Sequence, residues 1–193
     1  ADAPPVSDGP AMWGAVLGGS ASLPGSAANG SHDTDTTPWG VAAGWEQDLS
    51  PDPRLGLAVA GGQTGWDVSS GLGSGDSTYL QIGTYGRQQL GAAYVSLAAA
   101  YAWHALSTER TVHIDGVDRL RSDFDASNLS GRAEAGYRVT TGTDLDITPY
   151  AALQAQGVFM PRHDERGGAA GSQYALSYDG STATALSGSC TRP

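Results

Sequence analysis

Leu129-Ser-Gly-Arg-Ala-Glu-Ala-Gly-Tyr-Arg-Val139 alternates apolar or small residues with polar ones along its whole length. Successive side chains of an extended strand point to opposite faces, so Leu129 and Val139 share one face. The other face carries Arg132, Glu134 and Arg138, and three charges on one strand face need water or mutual pairing. The stretch therefore predicts a barrel strand with apolar side chains facing out and polar ones facing a wet lumen.

The same period of two recurs from one end of the chain to the other, between segments rich in turn residues. We predict eight strands: Met12–Leu23, Trp39–Asp48, Arg54–Val68, Thr78–Arg87, Ala92–Thr108, Asp125–Thr140, Asp144–Phe159 and Gln173–Ala185. The predicted lipid face includes Leu55, Leu57, Val59, Leu145, Ile147 and Leu153. The predicted lumen-facing polar residues are Arg132, Glu134, Arg138, Tyr150, Gln154 and Gln156.

The connections between these segments alternate in length, which is typical of outer-membrane barrels. Long connections are predicted at 24–38, 69–77, 109–124 and 160–172, and short ones at 49–53, 88–91 and 141–143. A β-sandwich is the alternative all-β fold, but its loops need not alternate. The pattern favours an antiparallel up-and-down transmembrane barrel.

The segment 92–106 is the main exception, because it is rich in alanine and has a strong intrinsic preference for helix. A strand interpretation places Val95, Leu97 and Tyr101 on one face, and predicted strands flank the segment on both sides. We therefore predict a strand here and keep the helix as the alternative.

Composition and charge exclude several classes of protein. No stretch supplies the roughly 20 consecutive apolar residues of a transmembrane helix. The net charge of −10 argues against nucleic-acid binding, which requires a basic face. The single Cys190 excludes an internal disulfide and a cysteine-based zinc site. Residues 1–10 lack the features of a signal peptide, so residue 1 is interpreted as the interior of a longer precursor.

Several short motifs, in order, carry a family resemblance. They are Trp13-Gly14, Trp39-Gly-Val-Ala-Ala-Gly44, Ile82-Gly-Thr-Tyr-Gly86, Tyr101-Ala-Trp-His104, Thr108-Glu-Arg-Thr-Val112, Ala133-Glu-Ala-Gly-Tyr-Arg138 and Thr148-Pro-Tyr-Ala-Ala-Leu-Gln154. Together the order and spacing of these motifs strongly resemble the autotransporter β-domain, over about residues 12–185.

The resemblance implies a twelve-stranded barrel in the outer membrane of a Gram-negative bacterium. It also implies a linker helix threaded through the lumen, a secreted N-terminal passenger and assembly by the outer-membrane insertion machinery. We expect a monomer, in contact with outer-membrane lipid and with its own passenger and linker, and without nucleic acid.

This chain is expected to contain about eight of the twelve strands. Residues 1–11 are interpreted as a linker remnant, 12–185 as a partial barrel domain and 186–193 as an atypical tail of a truncated or frameshifted product. An incomplete barrel leaves two strand edges unpaired, and unpaired backbone groups are costly in lipid. An open sheet is therefore expected, with closure of the eighth strand on the first as the alternative.

Candidate chemical sites are few. Residues 162–166 hold arginine, histidine and acidic side chains, but neighbours on an extended loop point in different directions, so we interpret them as a solvated loop. His32-Asp-Thr-Asp35 lacks the glycine and distal glutamate of a calcium loop. Gly71-Leu-Gly-Ser-Gly75 precedes a strand and not a helix, unlike a phosphate loop. We predict no catalytic residue, no metal and no cofactor.

The aromatic residues are interpreted as an interfacial girdle or as core, and not as a stacking platform for a ligand. They are Trp39, Trp45, Trp66, Tyr101 and Trp103. The predicted function is that of a translocator barrel, with a porin-like or adhesin-like barrel, or a soluble β-rich binding protein, as the alternatives.

Overall fold

In the computed structural model, the described residues are 9–26, 28–49, 53–112, 118–141, 145–167 and 174–190. The strands are β1 Ala11–Gly18, β2 Ala21–Leu23, β3 Thr34–Asp48, β4 Arg54–Val68, β5 Gly73–Leu90, β6 Ala93–Val112, β7 Asp118–Tyr137, β8 Val139–Thr141, β9 Leu145–Ile147, β10 Tyr150–Met160, β11 His163–Asp164, β12 Arg166–Gly167, β13 Ser177–Tyr178 and β14 Ser181–Cys190. A 3-10 turn at Ser69–Gly71 lies between β4 and β5.

Eight strands form one antiparallel wall in the order β1-β3-β4-β5-β6-β7-β10-β14. Each strand pairs with its neighbour along the chain, as in a meander, while β2 extends the β1 edge and β12 adds to β7. Two small sheets, β8–β9 and β11–β13, lie off this path. Within the described residues β1 and β14 are not paired with each other, so the open all-β meander expected from the sequence is confirmed.

The wall has one face of exposed apolar side chains and almost no conventional core. Leu57 is 58% exposed and Ile82 is 60% exposed, whereas Leu120 is the only large side chain that is fully buried among the described residues. The register pairs Leu57 with Thr84 and Val59 with Ile82, so the apolar residues of neighbouring strands share one face. Such a face requires an apolar surrounding to be stable.

The segment 92–106 is a strand, so the helical alternative is wrong there. Each residue from 93 to 106 pairs on both sides, with β5 and with β7, and these tertiary hydrogen bonds override the helix preference of alanine.

Several predicted boundaries are wrong at the long-loop end. Residues 73–77 belong to β5, which leaves only 69–72 between β4 and β5, and β6 and β7 extend far into the predicted loop 109–124. The apolar alternation stops at the edge of the membrane, whereas hairpin hydrogen bonding continues into water, because it needs no apolar side chains. The alternation therefore marks the membrane-embedded part of each strand and not its end.

Other segments predicted as single strands are divided or displaced. The predicted strand Met12–Leu23 breaks after Gly18. The predicted strand 144–159 breaks at Pro149, whose nitrogen has no hydrogen to donate to a neighbouring strand. The last strand is Ser181–Cys190 and not 173–185, because its Ala, Thr and Ser residues give a weak pattern. The predicted short turn 141–143 lies partly outside the described residues, as do residues 1–8 and 191–193.

Candidate functional site

The polar face of the wall is its concave face. The Trp13 indole nitrogen on β1 donates a hydrogen bond of 2.8 Å to the Tyr85 hydroxyl on β5. β3 and β4 lie between these two strands, and strands are spaced about 4.8 Å apart. A flat sheet would separate the two backbones by about 14 Å, and the two side chains span this distance together because they reach towards each other over β3 and β4. In a closed barrel the polar face is the concave one. This face is called the inner face below, and the opposite one the outer face.

Glycines allow large aromatic rings to lie flat on the inner face. Trp13 lies over Gly44, Tyr85 over Gly56 and Tyr94 over Gly136, each glycine on a neighbouring strand. A Cβ atom at any of these three glycines would overlap the ring above it. Trp66 also lies inward, over Gly75, so it is not part of an outer girdle.

A charged layer lies on the inner face near the short turns. The Tyr94 hydroxyl donates a hydrogen bond of 2.8 Å to Glu134, and Arg132 forms an ion pair of 2.6 Å with the other oxygen of this carboxylate. The Arg87 guanidinium lies 4.2 Å from the centre of the Tyr94 ring, within cation–π distance. Glu134 is thus held by two donors.

Three more charged residues complete this layer. Arg54 on β4 forms an ion pair of 2.8 Å with Asp48 and a looser one of 3.7 Å with Glu46. We call the six residues the charged layer: Glu46, Asp48, Arg54, Arg87, Arg132 and Glu134. Their register positions place all six on the inner face.

The structure brings together some of the polar residues that the sequence predicts to face the lumen. Gln154 pairs with Arg132 and Gln156 with Ser130, so both glutamines face inward beside β7. Tyr150 lies opposite Gly136 at the start of β10. Arg138 follows the last residue of β7, and its backbone N–H bonds to the Ala92 carbonyl at 2.8 Å, so it stands at the edge of the layer.

The sequence pattern did not indicate Arg87 as a member of the charged layer, nor Trp13, Tyr85 and Tyr94 as inner-face residues beside it. Their side chains contact residues on other strands, and single-strand periodicity does not show such contacts. The pairing of an aromatic residue on one strand with a glycine on the next was the available signal.

The outer face carries an apolar band of the height of a membrane. Trp103, Ser127 and Phe159 form one rung near the loops, and Tyr137 lies ten residues from Ser127 along β7. At about 3.3 Å per residue and a strand tilt of about 40°, this separation is about 25 Å, which matches the band of outer-membrane barrels. Trp39, Trp45, Tyr101 and Trp103 all face outward.

The predicted lipid-facing residues divide into two groups. Leu55, Leu57, Val59 and Leu153 lie on the outer face of the wall. Ile147 lies in the separate β8–β9 hairpin, and the Leu145 side chain lies outside the described residues. The assignment of these two to the wall is wrong, because the chain leaves the wall between Tyr137 and Tyr150.

A second polar cluster lies above the band, at the loop end. Arg110 holds Glu165 with hydrogen bonds of 3.0 and 2.6 Å, and the Leu176 N–H donates a third at 3.1 Å. Only 8% of Glu165 is exposed, so the interpretation of residues 162–166 as a solvated loop is wrong for this residue. The Arg110 hydrogen bond holds the pKa of the Glu165 carboxyl below its usual value, against the opposite effect of burial.

The loop also contacts the inner face of β7. His163 stacks between Phe124 and Tyr178, with ring centres 3.8 and 4.8 Å apart. The Ser122 hydroxyl donates a hydrogen bond to the Asp164 carbonyl at 3.2 Å. Among the described residues, Leu120, Ser122 and Glu165 are therefore buried outside the apolar band.

The described ranges contain no group of three His, Cys, Asp or Glu side chains that could hold a metal ion. In the same ranges, no helix is long and apolar enough to cross a membrane.

An antiparallel wall with an apolar outer band and a polar concave face defines the class of membrane-spanning β-barrel proteins. The family model "Autotransporter beta-domain" matches residues 12–190. The chain therefore belongs to the autotransporter β-domain family, whose members are outer-membrane transport modules. The match includes all of β14.

Among solved structures, the translocator domain of autotransporter NalP from Neisseria meningitidis has the same fold. The TM-score is 0.77 at 15% sequence identity, over 96% of this chain and 61% of that one. The chain thus spans about three fifths of the length of this relative. No curated protein sequence matches the chain significantly.

Proposed function

We propose that this chain forms much of the wall of an outer-membrane channel that anchors an N-terminal passenger and assists its export. The observation that supports this best is the opposite chemistry of the two faces, since the outer band suits lipid and the concave face suits water. Outer-membrane lipid is in contact with the outer face. The barrel insertion machinery is the partner for assembly, and the barrel acts as a monomer.

A linker helix is the proposed occupant of the inner face next to the charged layer. Arg132 and Glu134 lie there, with Gln154 and Gln156 on the neighbouring strand and Arg138 and Tyr150 at the short-turn edge. Two donors already hold Glu134, so the side chains are fixed before a helix arrives, and ordering them upon binding costs little.

No enzymatic activity is proposed for the domain. The inner-face residues that could act as acid or base are held in ion pairs, as Arg132 and Glu134 are, or stand apart from a nucleophile and an oxyanion site. The contact of 3.4 Å between the Ser77 hydroxyl and the His104 ring is the nearest arrangement to a catalytic pair, and among the described residues no third side chain is hydrogen-bonded to that histidine.

The test of this function is surface display by the full-length protein. A folded reporter replaces the passenger, and protease added to intact cells reports whether it reaches the outside. We expect the reporter to be cleaved while the barrel stays protected. A reporter that remains in the periplasm, beside a barrel that is inserted normally, would show a porin-like barrel without export. A protein recovered without membranes or detergent would place it in the soluble class.

The linker contact has its own test, which is cross-linking from single cysteines on β10. Position 154 faces inward and position 153 faces outward, so the two cysteine variants differ only in the face they report. Replacement of the natural Cys190 by serine removes the background signal. A cross-link to the linker is expected from position 154 and not from position 153, and equal yields would contradict the proposed contact.

A further inference from the structure

We propose that this part of the channel wall is indifferent to the charge of the polypeptide that passes it, because the described strands carry their inward charges within the membrane band in one balanced layer, and the rest of their inner face in the band is uncharged. This inference rests on the proposed export function and names the class of cargo, which is an unfolded polypeptide of either net charge.

The charged layer is balanced in number. It contains three arginines, at 54, 87 and 132, and three acids, at 46, 48 and 134. Arg54 is paired with its two acids, and Arg132 with the third. A passing side chain therefore meets charges of both signs at the short-turn end, and not a ring of one sign.

Above this layer, the described inner face carries small or uncharged side chains. β6 places Ala98, Ala100 and Ala102 inward, and β4 places Ala58 and Ala60 beside them. A hollow of about 380 Å³ on this face is lined by hydroxyl, amide, alanine and imidazole groups. Its polar members include Thr64, Gln81, His104, Asn128, Gln154 and Gln156.

The absence of charge from this part of the inner face is not a result of a low charge content, since the chain has 20 acidic and 10 basic residues. The charged residues at the ends of β6 and β7 show most directly that charges are kept off the inner face. Glu109, Arg121 and Asp123 all have outward register positions above the band. Arg110, which faces inward at the same height, is neutralised by Glu165.

The physical consequence concerns side chains that pass through a narrow wet channel. A fixed charge acts over about 10 Å at 0.1 M salt, so an unpaired inward charge would hold opposite charges and repel like ones. Amide and hydroxyl groups donate and accept hydrogen bonds without a preference for sign. Alanine and glycine leave room for side chains of any size.

The first test measures the ion preference of the full-length protein in planar lipid bilayers under a salt gradient. We expect cation and anion permeabilities equal to within about twofold, because the charged layer holds three charges of each sign. The double variant Gln154→Glu/Gln156→Glu should prefer cations by more than about fivefold. Its two new negative charges would line the channel, where they act on passing ions over about 10 Å at 0.1 M salt. The charge-matched control Ala28→Glu/Asn29→Glu adds the same two charges in the exposed turn before β3, away from the inner face, and should keep the ion preference of the natural protein.

A strong preference of the natural protein for either ion, above about fivefold, would overturn the inference. The inference would also be overturned if the Gln154→Glu/Gln156→Glu variant inserts in the membrane and keeps the ion preference of the natural protein, because those two positions would then not line the channel.

The second test uses export of one reporter that carries an acidic or a basic unfolded tag of equal length. The natural protein should export both at rates within about twofold, and the glutamate variant should slow the basic tag selectively. Discrimination between the tags by the natural protein would overturn the inference while leaving the export function intact. Export of neither tag, beside equal ion permeabilities, would instead count against the proposed function alone.

Discussion

Gly136→Ala tests the contact between glycine and aromatic residue that builds the charged layer. A Cβ atom at position 136 would overlap the Tyr94 ring, so the ring must move away from its place on the inner face. This movement breaks the bond of 2.8 Å from Tyr94 to Glu134. Loss of a hydrogen bond to a charged group costs about 1.5–3 kcal/mol, and overpacking costs about 1–3 kcal/mol. Together they predict a loss of about 2.5–6 kcal/mol in the free energy of unfolding, a large part of a typical domain stability.

The assay is equilibrium urea unfolding in detergent micelles, followed by tryptophan fluorescence. Gly131→Ala on the same strand is the matched control, because its Cβ atom would meet only the Ala98 carbonyl oxygen, at 3.8 Å. In a Tyr94→Ala background, Gly136→Ala should cost less than about 0.5 kcal/mol, since the overlap is gone. The reasoning fails if the substitution costs the same with and without the Tyr94 ring, or no more than the control.

Glu165, Trp13 and His104 give four further predictions. Glu165→Gln should destabilise the loop by about 1–3 kcal/mol relative to the control Asp179→Asn, measured by protease cleavage of the loop, because Asp179 is 94% exposed. Since the pKa of Glu165 is lowered in the folded protein, the stability that its carboxylate gives the loop should be fully present above the ordinary carboxyl pKa. This stability should be lost as the pH falls through the lowered pKa of the folded state, and a rate of loop cleavage that does not change with pH would contradict this. Trp13→Phe should lower stability by about 1 kcal/mol through loss of the bond to Tyr85, and an unchanged urea midpoint would show that this bond contributes nothing. The natural protein and the His104→Ala variant should both show no hydrolytic activity above background. Hydrolysis by the natural protein that disappears in the variant would show the domain to be an enzyme.

The facing of residues within the membrane could be predicted from the sequence, and the ends of the strands could not. Leu57, Leu129 and Leu153 were placed on the lipid side by alternation alone, because burial in lipid selects one residue in two. β6 ends only at Val112 and β7 begins as early as Asp118, in segments where apolar and polar residues do not alternate. Outside the membrane both faces of a strand are in water, so neither face requires apolar residues. Backbone pairing there leaves no mark in the hydropathy pattern.

The charged layer was predicted only in part, for a related reason. Arg132 and Glu134 are visible because they stand on one strand two residues apart. Tyr94 on β6 contacts Glu134 on β7, and Arg87 on β5 contacts the Tyr94 ring. These contacts depend on the register between the three strands, which is not visible in the sequence of any one of them. The cluster at Glu165 was missed because Arg110 is 55 residues away in the chain.

The central claim is that the two faces of the wall meet lipid and water, and spin labels along β10 test it most directly. Labels are placed one at a time at positions 153, 154, 155 and 156 of the Cys190→Ser protein in lipid vesicles. Accessibility to oxygen, which dissolves in lipid, and to a water-soluble nickel complex is then measured at each position. The account predicts a period of two, with 153 and 155 open to oxygen and 154 and 156 open to nickel. The reverse pattern, or equal accessibility at all four positions, would contradict it.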